Sequence, residues 1–317
     1  MTNMKKIVYV TGCLGFIGLH VTRKCLDLGW YVIGVDKMTY ASNENFLEEF
    51  EKNPNFKFIN SDINDLDRLH DCDYIINTAA ETHVDNSIAS SDVFVKSNIN
   101  GVHHLLKLIN EKNRFKMPVL LHFSTDEVYG DIVEGAHTET DLLKPSNPYS
   151  ATKAAADMLI LAWARTYNLP YVIVRPTNNY GIGQYVEKLI PKSVKYLSIG
   201  RKIDLHDNGK PRRTWLHADD TANAVTTIIN SGVVNEIFNI SGNYETDNLT
   251  VVRKLLEQYG IDTNNLDEYT HMLTRPGQDV RYAIDDSKLK ALGWQPQADF
   301  DVELANIVDY YKNNFVW

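Results

Sequence analysis

At 317 residues the chain is long enough to bury a large core and to form one full domain with a smaller partner. Its 44% hydrophobic and 23% charged residues are an ordinary globular composition, which excludes a disordered or fibrous chain. A formal charge of -9 gives no long-range attraction for phosphate backbones or anionic lipid, so nucleic acid and membrane are excluded as partners and any bound phosphate must be held by local groups.

The N-terminal MTNMKKIVYVTG runs from a strand into glycines after a few apolar residues, too short for a signal-peptide core, and no later stretch approaches a membrane span; the expected location is the cytoplasm. From there short β-branched runs alternate with helical patterns: IVYV (7–10), YVIGV (31–35), FKFI (56–59), YIIN (74–77), VLLHFS (119–124) and YVIVR (171–175). Such alternation predicts a parallel sheet with helices on both faces. After Pro176 the regularity fades into NNYGIGQY, a helical stretch near 189–197, the turn NGKPRR and a last strand signal, EIFNIS (236–241). Residues 289–315 have helical spacing broken at LGWQP. The fold class is therefore α/β, a Rossmann-type doubly wound parallel sheet with a smaller mixed α/β substrate-binding lobe. Residues 1–177 form the dinucleotide domain, to which about 214–240 return, and 178–213 with 241–317 form the second lobe. Cys13, Cys25 and Cys72 lack metal-ligand or redox spacing and read as small buried residues, so no metal is expected.

TGCLGFIG follows the first strand and opens a helix. Gly12, Gly15 and Gly18 suit a tight turn, close approach to a pyrophosphate and close helix packing, and the helix N-terminus adds N–H groups and a positive dipole end. The candidate cofactor-binding segment runs from Gly12 through Leu14, Gly15, Phe16 and Ile17 to Gly18. Asp36, at the end of the next strand, can accept the ribose hydroxyls and repel a 2′-phosphate, which favours NAD over NADP; Lys37 beside it works against that preference. Asp62 and Ile63 follow the third strand where adenine would lie, and Ala79 and Ala80 follow the fourth, where small side chains let a cofactor pass. Taken alone, Asp62 is more often a plain helix cap, and the alanines are more often packing residues.

Tyr149 and Lys153 stand four apart on one helical face in NPYSATK, and a nearby ammonium lowers the pKa of a phenol so that it can accept an alcohol proton. HFSTDEVYG (122–130) places Thr125, Asp126 and Glu127 after an apolar strand. Adjacent carboxylates cannot continue that strand into a dry sheet, so they lie beyond its C-terminal end, where doubly wound folds bind ligands. Two carboxyls in one cleft push their pKa values apart, giving an acid and a base suited to an elimination.

With these motifs in place, the sequence resembles the extended short-chain dehydrogenases and, among them, the dTDP-glucose 4,6-dehydratases and their UDP-glucose counterparts. The likeness runs almost end to end through VDKMTYASN, TAAETHVDNS, STDEVYG, NPYSATK, NNYG, EKLIP, RTWLHADD and RPGQDVRYAID. It implies an NAD-dependent lyase acting on a nucleoside-diphosphate sugar. Tyr149 would take the O4 proton with Lys153 in support and Thr125 bonded to O4, Glu127 would remove the C5 proton, and Asp126 would protonate the leaving C6 hydroxyl. It further implies Asn179 and Arg213 as phosphate contacts, Glu187 and Lys188 near sugar and base, Asn248 and Arg275 at the far end, His83 near sugar or cofactor, and a homodimer. Val186, Gln278, Asn86 and the GQY of 183–185 depart from the usual dTDP-glucose pattern, and Asn86 with GQY looks closer to the UDP-glucose enzymes. The competing readings are a 4-epimerase or decarboxylase of a UDP-sugar, against which Asp126-Glu127 speaks, and a non-catalytic NAD-binding regulator, against which the intact Tyr149, Lys153 and carboxylate pair speak.

Overall fold

The computed structural model describes residues 5–112, 116–274 and 279–314. In chain order its elements begin β1 (Ile7–Thr11), α1 (Phe16–Asp27), β2 (Tyr31–Asp36), α2 (Glu44–Glu51), β3 (Phe56–Asn60), β4 (Tyr74–Asn77), α3 (Val84–Ala89), α4 (Asp92–Phe94), α5 (Gly101–Asn110), β5 (Val119–Phe123), α6 (Pro148–Tyr167) and β6 (Tyr171–Pro176). There follow β7 (Asn178–Tyr180), α7 (Leu189–Ser198), β8 (Ile203–His206), β9 (Arg212–His217), α8 (Ala218–Ser231), β10 (Glu236–Ile240), β11 (Tyr244–Asp247), α9 (Asn248–Glu257), β12 (Thr270–Leu273), α10 (Ser287–Lys290) and α11 (Phe300–Asn313).

The seven apolar runs of the sequence become one parallel sheet in the order β10-β6-β5-β4-β1-β2-β3. Alternate residues of each central strand enter opposite cores. Val8, Val10, Ile76, Leu121, Val172 and Val174 pack with α1 and α8 on one face, while Tyr9, Ile75, Leu120 and Ile173 pack with α5 and α6 on the other. Burial of both faces explains why these strands are continuously apolar. The strand order reverses beside β1 and β4, and their C-terminal ends open the crevice in which such sheets bind ligands.

The second lobe holds a three-stranded sheet, β11-β9-β7, and a parallel pair, β12-β8. EIFNIS is therefore not the last strand, since β11 and β12 come after it. Tyr180, Trp215, Phe300, Leu304 and Ile307 join residues of α7 and α9 in a separate core, which docks the C-terminal helix on this lobe. The return to the large sheet is made by α8 and β10, whereas β9 stays in the smaller sheet. Among the described residues no helix is long and apolar enough to cross a membrane, and no group of three His, Cys, Asp or Glu side chains is arranged to hold a metal.

Candidate active site

Two clefts open along the C-terminal edge of the large sheet. The first, of about 710 Å³, is lined by Gly12, Gly15, Asp36, Lys37, Asp62, Ile63, Ala79 and Ala80, among others. Gly12 holds φ +72°, and a Cβ there would lie 2.8 Å from the Ala79 nitrogen; a Cβ on Gly18 would collide with the Gly12 carbonyl oxygen. Glycine is thus required by both backbone conformation and close packing. Helix α1 starts at Gly15 without a side-chain cap, so its first N–H groups have no partner from a capping side chain and suit a phosphate. Leu14, Phe16, Ile17 and Gly18 do not line this cleft. Leu14 is buried, and its N–H donates to Asp36 Oδ2 at 3.0 Å.

Asp36 Oδ1 also accepts from Met38 N and Ser42 Oγ, both at 2.8 Å. The carboxylate therefore fixes the glycine turn as well as facing the cleft. Two oxygens with about four acceptor positions still leave Oδ2 room for a ribose hydroxyl. Asp62 caps the turn after β3 and lies 3.5 Å from Lys37 Nζ, so cap and cleft residue are one and the same. Burial raises the Asp62 carboxyl, but the hydrogen bonds from Asn64 and the Lys37 charge outweigh it and hold Asp62 below the ordinary carboxylate range. A glycine turn, uncapped helix start, acidic strand end and alanine wall fit an adenine dinucleotide.

The second cleft, of about 1260 Å³, is lined by His83, Glu127, Asn179, Glu187, Lys188, Arg213 and Asn248. Of the predicted substrate residues that the structure describes, all but Thr125 line it; Arg275, with Gln278, falls outside the described residues. Arg213 stacks over Tyr282 at 4.3 Å and spends two donors on the carbonyls of Arg212 and Asp279, leaving others of its five N–H groups for an anion. Asn179 is partly committed, donating to Thr177 O and accepting from Thr221. His83 caps α3 by accepting from Asn86 N. Thr82 and Glu187 line both clefts and mark where they meet.

Thr125, Asp126 and Glu127 follow β5 directly, in a tight turn across Asp126–Tyr129. Asp126 is 3% exposed; Thr125 Oγ1 donates to its Oδ1 at 3.2 Å, while the buried Oδ2 makes no hydrogen bond within the chain. Burial, then the Glu127 charge, push Asp126 up to about 7, and Arg213 opposes them. Glu127 is also raised by burial, against Asn147, Arg213 and Lys188. Asn147 Nδ2 donates to Glu127 Oε2 at 3.2 Å. Helix α6 begins here with a capping box, Asn147 Oδ1 accepting from Ser150 N and Pro148 in the first turn.

Tyr149 and Lys153 lie one turn apart on α6 and are both buried. The expected lowering of the Tyr149 pKa by Lys153 is not what the structure gives. Burial raises the phenol above its ordinary value, Glu127 and Asp126 add to the rise, and Thr125 alone opposes it. Lys153 is itself desolvated, which brings it down to about 8 against the pull of Asp157.

Several site residues escaped the sequence reading. Asn98 donates to Glu81 O and Thr152 Oγ1 and accepts from Glu81 N, tying the wall of the first cleft to α6 from a wide helical turn at Val95–Asn100. Asn147-Pro148 is a helix-start signal that could have been found. Asp157, a carboxylate in the apolar run AADMLI, and Arg175, an ion at the end of an apolar strand, were visible as charges in buried positions.

Residues 9–307 match the family model described as GDP-mannose 4,6 dehydratase. The chain is 40% identical to a dTDP-glucose 4,6-dehydratase of Haemophilus influenzae, over 97% of this chain and 98% of that one. It is 37% identical to an Arabidopsis thaliana trifunctional protein whose name begins UDP-glucose 4,6-dehydratase, over 100% of this chain and 49% of that longer one. A crystal structure of a Streptomyces venezuelae dTDP-glucose 4,6-dehydratase with NAD bound superposes with a TM-score of 0.91 at 36% identity, covering 97% of each chain.

Proposed function

The chain belongs to the dTDP-glucose 4,6-dehydratase family, and on that premise we propose that it removes water from a nucleoside-diphosphate glucose to give the 4-keto-6-deoxy sugar, with NAD in the first cleft. The observation that carries this reading is the Asp126–Glu127 pair at the end of β5, with Glu127 lining the second cleft and the buried Oδ2 of Asp126 making no hydrogen bond within the chain.

NAD, when bound, supplies a cationic ring that accepts a hydride from C4 and returns it to C6. Tyr149 takes the O4 proton as C4 becomes a ketone, with Thr125 hydrogen-bonded to O4 and Lys153 as the nearby cation. The ketone acidifies C5–H, and Glu127 accepts that proton. Asp126, protonated, donates to the C6 oxygen, so the C6–O bond breaks, water leaves and a C5–C6 double bond forms. Return of hydride at C6 and of a proton at C5 closes a redox-neutral sequence. The raised pKa of Asp126 keeps its proton available, and the Asn147 donor with the Arg213 and Lys188 charges favours Glu127 as the anion.

The diphosphate is assigned to Arg213 and Asn179, and sugar and base to His83, Glu187, Lys188, Asn248 and Arg275. Residues 1–177 with about 214–240 make the NAD domain in this reading, and 178–213 with 241–317 the nucleotide-sugar lobe. Exposed Val93, Val95 and Met158, beside and on α6, support a homodimer through these helices. dTDP-glucose is the proposed substrate; the match of this whole chain to about half of a longer trifunctional protein whose name begins UDP-glucose 4,6-dehydratase makes UDP-glucose the second reading. Incubation with each sugar, followed by mass spectrometry, is expected to show a product lighter by one water. Epimerisation at C4 without water loss from either sugar would sink the assignment. Glu127→Gln should stop water loss yet leave the absorbance change of C4 oxidation.

A further inference from the structure

Behind Lys153 lies a buried polar cluster that the proposed chemistry does not use. Asp157, one turn further along α6 and 0% exposed, accepts from Arg175 Nε at 3.0 Å and Nη2 at 2.9 Å, and from Ser124 Oγ at 3.0 Å, all through Oδ2. Its Oδ1 is buried and makes no hydrogen bond. Arg175, 1% exposed on β6, donates through Nη1 to Tyr129 OH at 2.7 Å, and Tyr129 OH donates to Asn239 of β10 at 2.8 Å. The cluster thus grips both ends of the Thr125–Tyr129 segment, through Ser124 before it and Tyr129 at its close.

Charge makes the arrangement informative. Two cations, Lys153 and Arg175, are buried around a single anion, and an uncompensated buried charge is costly enough to neutralise itself instead. The groups facing Lys153 are Tyr149 and Asp157 on its own helix and His122 on β5; burial drives the fully buried His122 well below its usual range, so it adds no charge. Asp157, four residues along the same helix, is therefore the anion whose pull offsets part of the desolvation of Lys153; burial raises the Asp157 carboxyl, and the Arg175 charge and hydrogen bonds oppose that rise.

We propose that Asp157 and Arg175 are a positioning pair for the catalytic helix, holding Lys153 as an ammonium one turn below Tyr149 and locking the Thr125–Tyr129 turn against it. The proposal rests on the roles given above to Tyr149 and Lys153 and adds residues that touch neither sugar nor cofactor.

The test is the pH dependence of C4 oxidation, followed by absorbance in single turnovers of the NAD-loaded protein. Loss of the counter-charge lowers the Lys153 pKa, so the alkaline limb must move to lower pH. In Asp157→Asn it should fall by on the order of one pH unit, from about 8, so that kcat at pH 8 drops about fivefold with KM within about twofold. Asp157→Glu, which keeps the counter-charge, should leave the limb near its wild-type position. Ser124→Ala removes one donor to Asp157 at little change of volume, folds where the Asp157 variants do not, and is expected to shift the limb by a few tenths of a unit in the same direction. A limb that stays in place in folded Asp157→Asn, or in Ser124→Ala when the Asp157 variants fail to fold, overturns the pair. If the wild-type protein oxidises C4 but releases no water, the dehydratase reading fails while this test still runs.

Discussion

In the proposed elimination two side chains set the pH dependence of water loss. Asp126, the proposed acid, must hold its proton, and its pKa is pushed up to about 7 by burial and by Glu127. Glu127, the proposed base, must be ionised, and burial raises it as well. Rate should therefore rise with pH through a Glu127 limb placed above the ordinary carboxylate range, then fall through a limb near 7. Because the carboxyls are adjacent, both limbs belong to the pair. We expect a bell-shaped kcat/KM for water loss, and Asp126→Asn should remove the limb near 7 while lowering kcat by roughly 10² to 10⁴-fold. A profile flat between pH 6 and about 8 would contradict these roles. A second residue-scale expectation concerns Gly18, where any side chain meets the Gly12 carbonyl. Gly18→Ala should weaken NAD binding at least tenfold by calorimetry, since the turn must open to admit the methyl group.

At the scale of elements, α6 carries the largest burden: a capped start holding Glu127, a middle bearing Tyr149 and Lys153, and a buried ion pair at Asp157. Removing one member of such a pair costs about 3 to 5 kcal/mol because the partner stays buried and charged. Asp157→Asn is expected to lower stability in urea by that amount, whereas Asn147→Ala, which removes a cap, should cost about 1 kcal/mol and Asn147→Ser only a few tenths. The same elements show what a sequence discloses. The seven strands of the large sheet were legible because both faces are buried, which forces apolar runs such as IVYV and VLLHF. Strands β8, β11 and β12 were not, since IDLH, YETD and THML are four-residue segments rich in polar residues and are defined by pairing with distant partners. Among the candidate site residues, Tyr149 and Lys153 stood out by their spacing along one helix face and Asp126-Glu127 as carboxylates directly after an apolar strand, both features that are local in the chain. The direction of the Tyr149 shift was not, because it depends on Glu127 and on burial, both products of tertiary contact.

Across the whole molecule the two clefts share Thr82 and Glu187, and side chains cross between them: Lys188 Nζ donates to Thr82 O at 3.1 Å, and Tyr40 OH donates to Glu187 at 3.4 Å. Occupants of the clefts would therefore touch the same residues, and their binding energies must be coupled. Coupling of this kind is reciprocal, so NAD and a nucleoside diphosphate must alter each other's dissociation constant by one common factor. Calorimetric titrations in both orders should return equal factors, and a factor of one would show that Thr82 and Glu187 transmit nothing. Each ligand alone also stabilises the fold, by about 2.7 kcal/mol at one hundred times its dissociation constant, enough to raise Tm by several degrees in a chain of this size. Comparing dTDP with UDP at equal concentration then reads the nucleobase preference from the protein itself. If the second cleft discriminates the base, the preferred diphosphate gives the larger rise in Tm, and the same diphosphate should show the stronger coupling to NAD. Equal rises and equal coupling would mean that recognition stops at the diphosphate held by Arg213, and that either sugar nucleotide is a substrate.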